Sequence, residues 1–442
     1  MRQRAFAEEI LQEAKKRDVQ AEVFFCNANS FTASASEGEL ERYAVSRVGG
    51  FSLRVNVDGR SGYAYTECCM DAQTLVARAI DNALSIEGSD EHPMQERCSY
   101  SNLVPVDSPF AELSHGDKIA LALDLEKKAL AFDSRVKRLV YCDIGEVTGQ
   151  VMILNSLGLE AHRKSVLSYI YALPVVEDAG ETRTGFDCKL LHEATKVDAC
   201  AEEAVTAALG KLGGTPVPSD NYRLVLKNSA MAELLAAFSP MFSADEAQRG
   251  CSLLADKEGQ RIGADCVTII DDPFHEFAPR VFDDEGTPCI TKNVVSKGIL
   301  KTLLHNLKTA KKAGVQSTGN ASRSSAASSI KVAPSVLYIK EGELSAEAIL
   351  KEMDNGLYIT ELEGLHAGLS TVSGDFSLQA CGRLVENGRL TRAVSDITIA
   401  GNFLTMLQNV EAVANDTKFA FPEEVSSASP SVLVSMLAVA GE

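Results

Sequence analysis

Between residues 51 and 66 the chain reads FSLRVNVDGRSGYAYT. Phe51, Leu53, Val55 and Val57 alternate strictly with polar residues. That two-residue period belongs to a strand with one face buried. Asp58-Gly59 comes next, and both residues accept the positive φ that a type I′ turn demands. The stretch therefore commits the N-terminal region to an antiparallel hairpin. Asn387-Gly388, within ACGRLVENGRLTRAV, is the strongest short hairpin signal in the chain.

The elements around these hairpins set the fold class. Phe6, Ile10, Leu11 and Ala14 mark one helical face, and AEVFF reads as a short strand. Asp71 can cap a helix carrying Leu75, Val76, Ala79, Ile80, Ala83 and Leu84 at helical spacing. A polar stretch with prolines, 87–109, reads as a linker. A second unit repeats the order loosely: a helix over 118–132, strands VKRLVYCDI, QVMILNS and SYIYALPVV, then a helix over 194–212. From about Asn221 the chain mixes many strands with short helices, and a Ser-rich loop at 317–329 reads as mobile. Strands and helices do not alternate regularly, so the expected class is α+β and multi-domain rather than a doubly wound sheet. The expected division is an N-terminal α+β domain at 1–90, a middle α+β domain at 110–214 and a larger strand-rich C-terminal domain at 221–442.

Charge removes some functions. Forty-three Lys and Arg face 61 Asp and Glu, a net charge of −18, so the chain should repel a phosphate backbone and no direct nucleic-acid contact is expected. No apolar run approaches the ~18 residues that span a bilayer, so no membrane partner is expected either. The charged start lacks an apolar signal core, and the expected compartment is the cytoplasm. The 11 Cys include no CxxC pair; Cys26, Cys142 and Cys266 sit in apolar runs and read as buried free thiols.

Candidate chemistry is sparse. His275-Glu276 resembles half of a zinc helix, but the position for a second His is Pro279, so it reads as a surface loop. FDDEG, 282–286, packs three carboxylates before a glycine and reads as a solvated or hydrogen-bonding turn. The stretch GLHAGLSTVSGDFSLQACG, 364–382, follows Glu361 and Glu363, which share one strand face. With His366, Asp375 and Cys381 it is either a catalytic site or a segment that lines a substrate path. No G-x-S-x-G elbow, Walker A sequence or strand-linked G-x-G-x-x-G occurs.

Taken in order, GGFSLRVNVDGRSGYAYT, FDDEGTP, GILKTLLHNLKTAKKAG, STGNASR, TELEGLHAG, SGDFSLQACG, VENG and ITIAGN resemble the TldD/PmbA family, also called modulators of DNA gyrase. The resemblance covers nearly the whole chain. It implies a cytoplasmic, zinc-dependent, multi-domain α+β peptidase built from two related chains, acting on unfolded peptides or in peptide maturation. The TldD type carries HExxxH on a helix early in the C-terminal domain, with a distant Cys as a further ligand. The PmbA (TldE) type lacks both. Here the matching helix reads NSAMAELLAAFSP, 228–240, with Glu233 and no His. The C-terminal segment NDTKFAFPEEVSSASPSVLVSML holds no Cys, and Cys381 lies too early to replace it. A hydrolytic zinc takes about three protein ligands.

The resemblance thus implies a PmbA-type subunit with no catalytic residue, no metal ligand and no cofactor of its own. Zinc is expected in a TldD-type HExxxH partner, unfolded peptide as substrate, and a homodimer when the chain is alone. Glu361, Glu363, His366 and Asp375 are then expected to line a substrate or partner surface. Two alternatives stay open: a stand-alone regulatory or binding protein, and an independent hydrolase using His366, Glu363 or Cys381.

Overall fold

A computed structural model describes all residues except 1, 70, 89–91, 102–109, 192–195, 276–278 and 421–425. The hairpin at 51–66 belongs to a seven-stranded antiparallel sheet that joins the first two sequence units. Its strands are β1 Gln20–Ser36, β2 Glu39–Val57, β3 Arg60–Thr66, β4 Val136–Asn155, β5 Glu160–Asp178, β6 Glu181–Thr184 and β7 Asp187–Leu190. The order is β3-β2-β1-β4-β5-β6, with β7 also on β5. AEVFF is therefore one end of a 17-residue strand, not a short one. The strand continues through Asn27–Ser30, where the apolar pattern fades, because β2 and β4 supply backbone partners on both sides. VKRLVYCDI and QVMILNS likewise merge into the single strand β4.

The odd residues of β1 point to one face, and four helices cover that face in two halves. α1 Arg2–Lys16 and α2 Ala72–Leu84 bury Phe6, Ile10, Val76 and Ala79 against Val23, Leu53 and Val55. α3 His115–Phe132 and α4 Val197–Leu209 bury Leu125, Ala201 and Val205 against Phe31, Ala33 and Ile170. Asp71 caps α2 by accepting from Thr74 N–H at 3.0 Å. The first residues expected in the helix at 194–212 lie outside the described residues.

The rest of the chain forms two six-stranded sheets and a two-stranded ribbon. Its elements are β8 Asp220–Leu226, α5 Asn228–Phe238, α6 Ala244–Gln248, β9 Ile269–Asp271, β10 Lys292–Ser296, β11 Ile299–Leu300, α7 Leu307–Ala313, β12 Ala321–Ser322 and β13 Lys331–Val332. They continue with β14 Val336–Ile339, α8 Ala346–Met353, β15 Gly356–Glu363, β16 Asp375–Glu386, β17 Arg389–Asn402, α9 Phe403–Gln408, β18 Val410–Val413, β19 Lys418–Phe419, β20 Ser426–Ser429 and β21 Val432–Ala440. One sheet runs β17-β16-β15-β8-β21-β18, and an extra β17–β21 pairing closes five strands into a ring. The other runs β11-β10-β9-β14-β20-β19. Leu226, Leu235, Phe238, Ile269, Leu357, Ile399 and Phe403 share one core between them, where Phe238 stacks on Phe403 at 4.5 Å.

Both turns legible in the sequence form as expected. Asp58-Gly59 has φ of 48° and 71°, and Asn387-Gly388 has φ of 51° and 69°. A Cβ on Gly388 would also lie 2.8 Å from Lys351 Cα. Gly388→Val should cost about 1–2 kcal/mol; an unchanged urea midpoint would show that the turn tolerates a side chain.

Three expectations change. The stretch read as a linker is packed where it is described: His92 and Met94 are buried, and Tyr100 donates to Gly286 O at 2.7 Å. The Ser-rich loop is anchored, because Asn320 and Ala321 are fully buried. Cys142 is buried as expected, but Cys26 is only half-buried and Cys266 is exposed.

Candidate functional site

The backbone of β16 is displaced on both sides near Cys381. Its register slips against β15 between Ile359 and Glu361, and against β17 between Ala380 and Gly382. Such bulges turn side chains away from the regular alternation. The second carries Asp396 at φ +57°, a backbone conformation that Asp tolerates better than most residues. β6 and Lys211, just past α4, face this point from the other sheet. Together they enclose a cleft of about 170 Å³ lined by Arg183, Lys211, Glu363, Gln379, Cys381 and Asp396.

Most of the charge inside is already matched. Lys211 is ion-paired with Glu361, and Arg183 with Glu181 at 2.6 Å. Arg183 lies 3.7 Å from Asp396. Burial pushes the Cys381 thiol up to about 11, so it stays protonated at neutral pH and is a poor nucleophile.

The four residues singled out in the sequence separate into two pairs. Glu363 lines the cleft, and Glu361, two residues before it on the same strand face, pairs with the cleft's Lys211. His366 is exposed in the turn where Gly368 N–H donates to Gly364 O at 2.7 Å. Asp375 opens β16 and accepts from Asn402 Nδ2 at 3.0 Å, a bond that lowers its carboxyl pKa. Neither His366 nor Asp375 lines the cleft. Arg183, Lys211, Gln379 and Asp396 were not singled out, since each comes from a separate element and no local motif joins them.

The helix at 228–240 and the C-terminal segment do meet. Asn228 Nδ2 donates to Asp416 O at 2.6 Å, and Ser431 Oγ to Asp416 Oδ2 at 2.7 Å. Ser427 Oγ donates to Ala232 O at 2.8 Å. Five residues of that segment, 421–425, lie outside the described residues. α5 is buried nearly all round through Ala230, Met231, Ala232, Leu234, Leu235 and Phe238. Half-buried Glu233 is its one ionisable side chain. Among the described residues, no group of three or more His, Cys, Asp or Glu is placed to hold a metal ion. His275 packs against the rings of Phe419 and Tyr338, at 5.0 and 6.0 Å, while Glu276 lies outside the described residues.

FDDEG is not solvated. Asp283, Asp284 and Glu285 are all buried, and they tie the C-terminal sheets to the even-numbered face of β1 and β2. Arg54 holds Glu22 through two bonds of 2.9 Å and Glu285 at 3.2 Å, and His92 also pairs with Glu285. Arg163 reaches Asp284 at 2.6 Å. Burial works against the ionised form of Glu285, but His92 and Arg54 outweigh it and hold the carboxyl well below the usual range. Burial and the neighbouring Glu285 raise Asp283. These carboxylates are committed to internal partners and act as a joint between sheets.

Three consecutive family models match this chain: PmbA/TldA metallopeptidase domain 1 at 21–85, the central domain at 108–212 and the C-terminal domain at 219–441. The chain belongs to the PmbA/TldD metallopeptidase family. It is 28% identical over 428 residues to the Metalloprotease PmbA homolog of Haemophilus influenzae, covering 93% of this chain and 90% of that one. It is 26% identical over 407 residues to Metalloprotease PmbA of Escherichia coli O157:H7, covering 90% and 87%. The fold matches the crystal structure of a proposed modulator of a DNA gyrase from Thermotoga maritima, with a TM-score of 0.91, 32% identity and coverage of 99% and 100%. TldE from Thermococcus kodakarensis shares the fold at a TM-score of 0.89 and 23% identity, covering 99% and 100%.

A metallopeptidase family raises the question of zinc. In this PmbA/TldD member, the residues of α5 do not fit it: one carboxylate stands among apolar side chains already packed into the core. Closed or catalytic zinc sites need three or four N, O or S ligands at fixed geometry.

Proposed function

We propose that this chain is the PmbA (TldE)-type subunit of a two-chain metallopeptidase that acts on unfolded peptides or in peptide maturation. In this reading it works in the cytoplasm, holds no zinc, and helps to form the substrate chamber for a TldD-type HExxxH partner. The observation that carries the proposal is α5. Its core-facing positions are filled by Met231, Leu234, Leu235 and Phe238, leaving Glu233 without the imidazoles a zinc helix would supply.

The test pairs elemental analysis with a peptide-cleavage assay. Purified alone, the chain should hold no stoichiometric zinc and should not cleave peptides. Co-expressed with an HExxxH paralogue, it should co-purify, and the complex should contain about one zinc per heteromeric pair. One zinc per chain in the isolated protein, with chelator-sensitive cleavage, would overturn the proposal.

A further inference from the structure

The first half of β2 has an open edge. Among the described residues β1 pairs along the whole of β2, while β3 reaches only Phe51–Val57. Residues 39–48 are exposed at every position, so neither face of the sheet is covered there. Tyr43, Val45 and Val48 are 48, 55 and 63% exposed, and no proline or lysine interrupts the run. Natural sheets do not leave a long apolar edge of this kind bare; another strand or a blocking element covers it. The direction of its free backbone groups follows from the turn. Val57 and Arg60 flank Asp58-Gly59, and the flanking residues of a two-residue hairpin exchange both backbone bonds. The register of β2 on β1 is unbroken from Asn56 back to Arg42. Counting back in twos, the N–H and C=O groups of Arg47, Val45 and Tyr43 point away from β1, and those of Ala44 point toward it. The register then slips once, which leaves Glu41 without an opposite residue on β1.

We infer that a second copy of this chain covers the edge, its own β2 pairing antiparallel with this one about a two-fold axis at Ala44. The charge pattern fits a copy. The chain is at −18 overall, yet here Glu39 and Glu41 are balanced by Arg42 and Arg47, so the repulsion between two acidic chains is locally cancelled. Arg42 serves Asp143 of its own chain at 3.4 Å. Among the described residues Glu41 and Arg47 have no ion-pair partner. An axis at Ala44 sets Tyr43 opposite Val45 in a pair that exchanges both backbone bonds, and brings Glu41 of one copy to Arg47 of the other. Two-fold symmetry makes each contact twice. The axis cannot lie nearer to Phe51, because the copy's first β-turn would then run into Thr66, which fills the place opposite Phe51.

The experiment is size-exclusion chromatography with light scattering on the isolated full-length chain over a range of concentrations. The parent should run as a dimer. Val45→Pro removes a donor that faces the second copy and not β1, so it should give a monomer at the same concentration, with thermal unfolding within error of the parent. Arg47→Glu should weaken association about tenfold, since it sets like charges together twice. Adding Glu41→Arg to it should restore the parent's affinity. Ala44→Cys tests the axis, because a residue on the axis meets its own copy. Ala44 is a non-hydrogen-bonded position of the new pair, with Cα atoms about 4.5 Å apart, a separation a disulfide accepts. Mild oxidation should link two chains through the introduced thiols, as read by mass spectrometry of the linked peptide.

A monomer at every concentration would overturn the inference, including one whose edge is taken by an extended peptide or by a different chain. So would a dimer indifferent to Val45→Pro and Arg47→Glu, a double exchange that fails to restore affinity, or the absence of the 44-to-44 link. The assay contains neither zinc nor an HExxxH chain, so its failure is separable from failure of the proposed function, which is read by metal content and co-purification.

Discussion

Replacing Arg54 with leucine should lower the unfolding free energy by about 3–5 kcal/mol. The guanidinium is fully buried and binds Glu22 and Glu285, which are fully buried themselves. Removing it leaves two carboxylates without their cation in a region that water does not reach, and that loss exceeds the worth of the hydrogen bonds alone. Glu285 would keep His92; among the described residues Glu22 would keep only Arg323, at 3.6 Å. Urea unfolding near pH 7 is the measurement, and a loss below about 1 kcal/mol would show that the pair is not desolvated as described. The triple replacement of Arg54, Glu22 and Glu285 by apolar residues of similar size should recover part of the loss, because the three charges leave together, while Arg323 loses its contact with Glu22.

Gly62→Val should be nearly as damaging, at about 3 kcal/mol or more. A Cβ there would lie 2.0 Å from Ala79 O and 2.4 Å from Ala83 N, both backbone atoms of α2. No rotamer change relieves a clash with a helix backbone, so α2 must move off β3 and open the core around Val76 and Ala79. A melting temperature within error of the parent would mean that the helix does not rest on the strand at this point.

These two positions separate what was legible from what was not. The 51–66 hairpin, the cap at Asp71 and the Asn387-Gly388 turn follow from local chemistry: a two-residue period, a side-chain acceptor and a positive φ. Glu37-Gly38 makes another turn of the same kind, with φ of 55° and 78°, and the alternation before it, Phe31, Ala33 and Ala35, rests largely on alanines, which carry a weak apolar signal. β1 could not be read at full length, since its middle is held by pairing on both sides rather than by its own apolar pattern. Glu22 and Arg54 left no trace, because Arg54 sits at a polar position of an alternating strand and a charge in a strand ordinarily means a solvent-facing position. Of the cleft, Glu361 and Glu363 were legible as two carboxylates on one strand face. Asp396, Lys211 and Arg183 were not, because bulges and the approach of a second sheet bring them there.

By itself, then, the sequence determined the class of fold, the tight turns, the apolar helix faces and the absence of imidazoles from α5, since each depends on residues within a few positions of one another. The tertiary structure alone decided that the first two units share one sheet, that the hydrogen-bonded FDDEG turn is a buried joint, and that Glu363 and Asp396 line one cleft. Those facts depend on which distant segments meet, and a burial or a charge balance has no value until the opposing surface is in place.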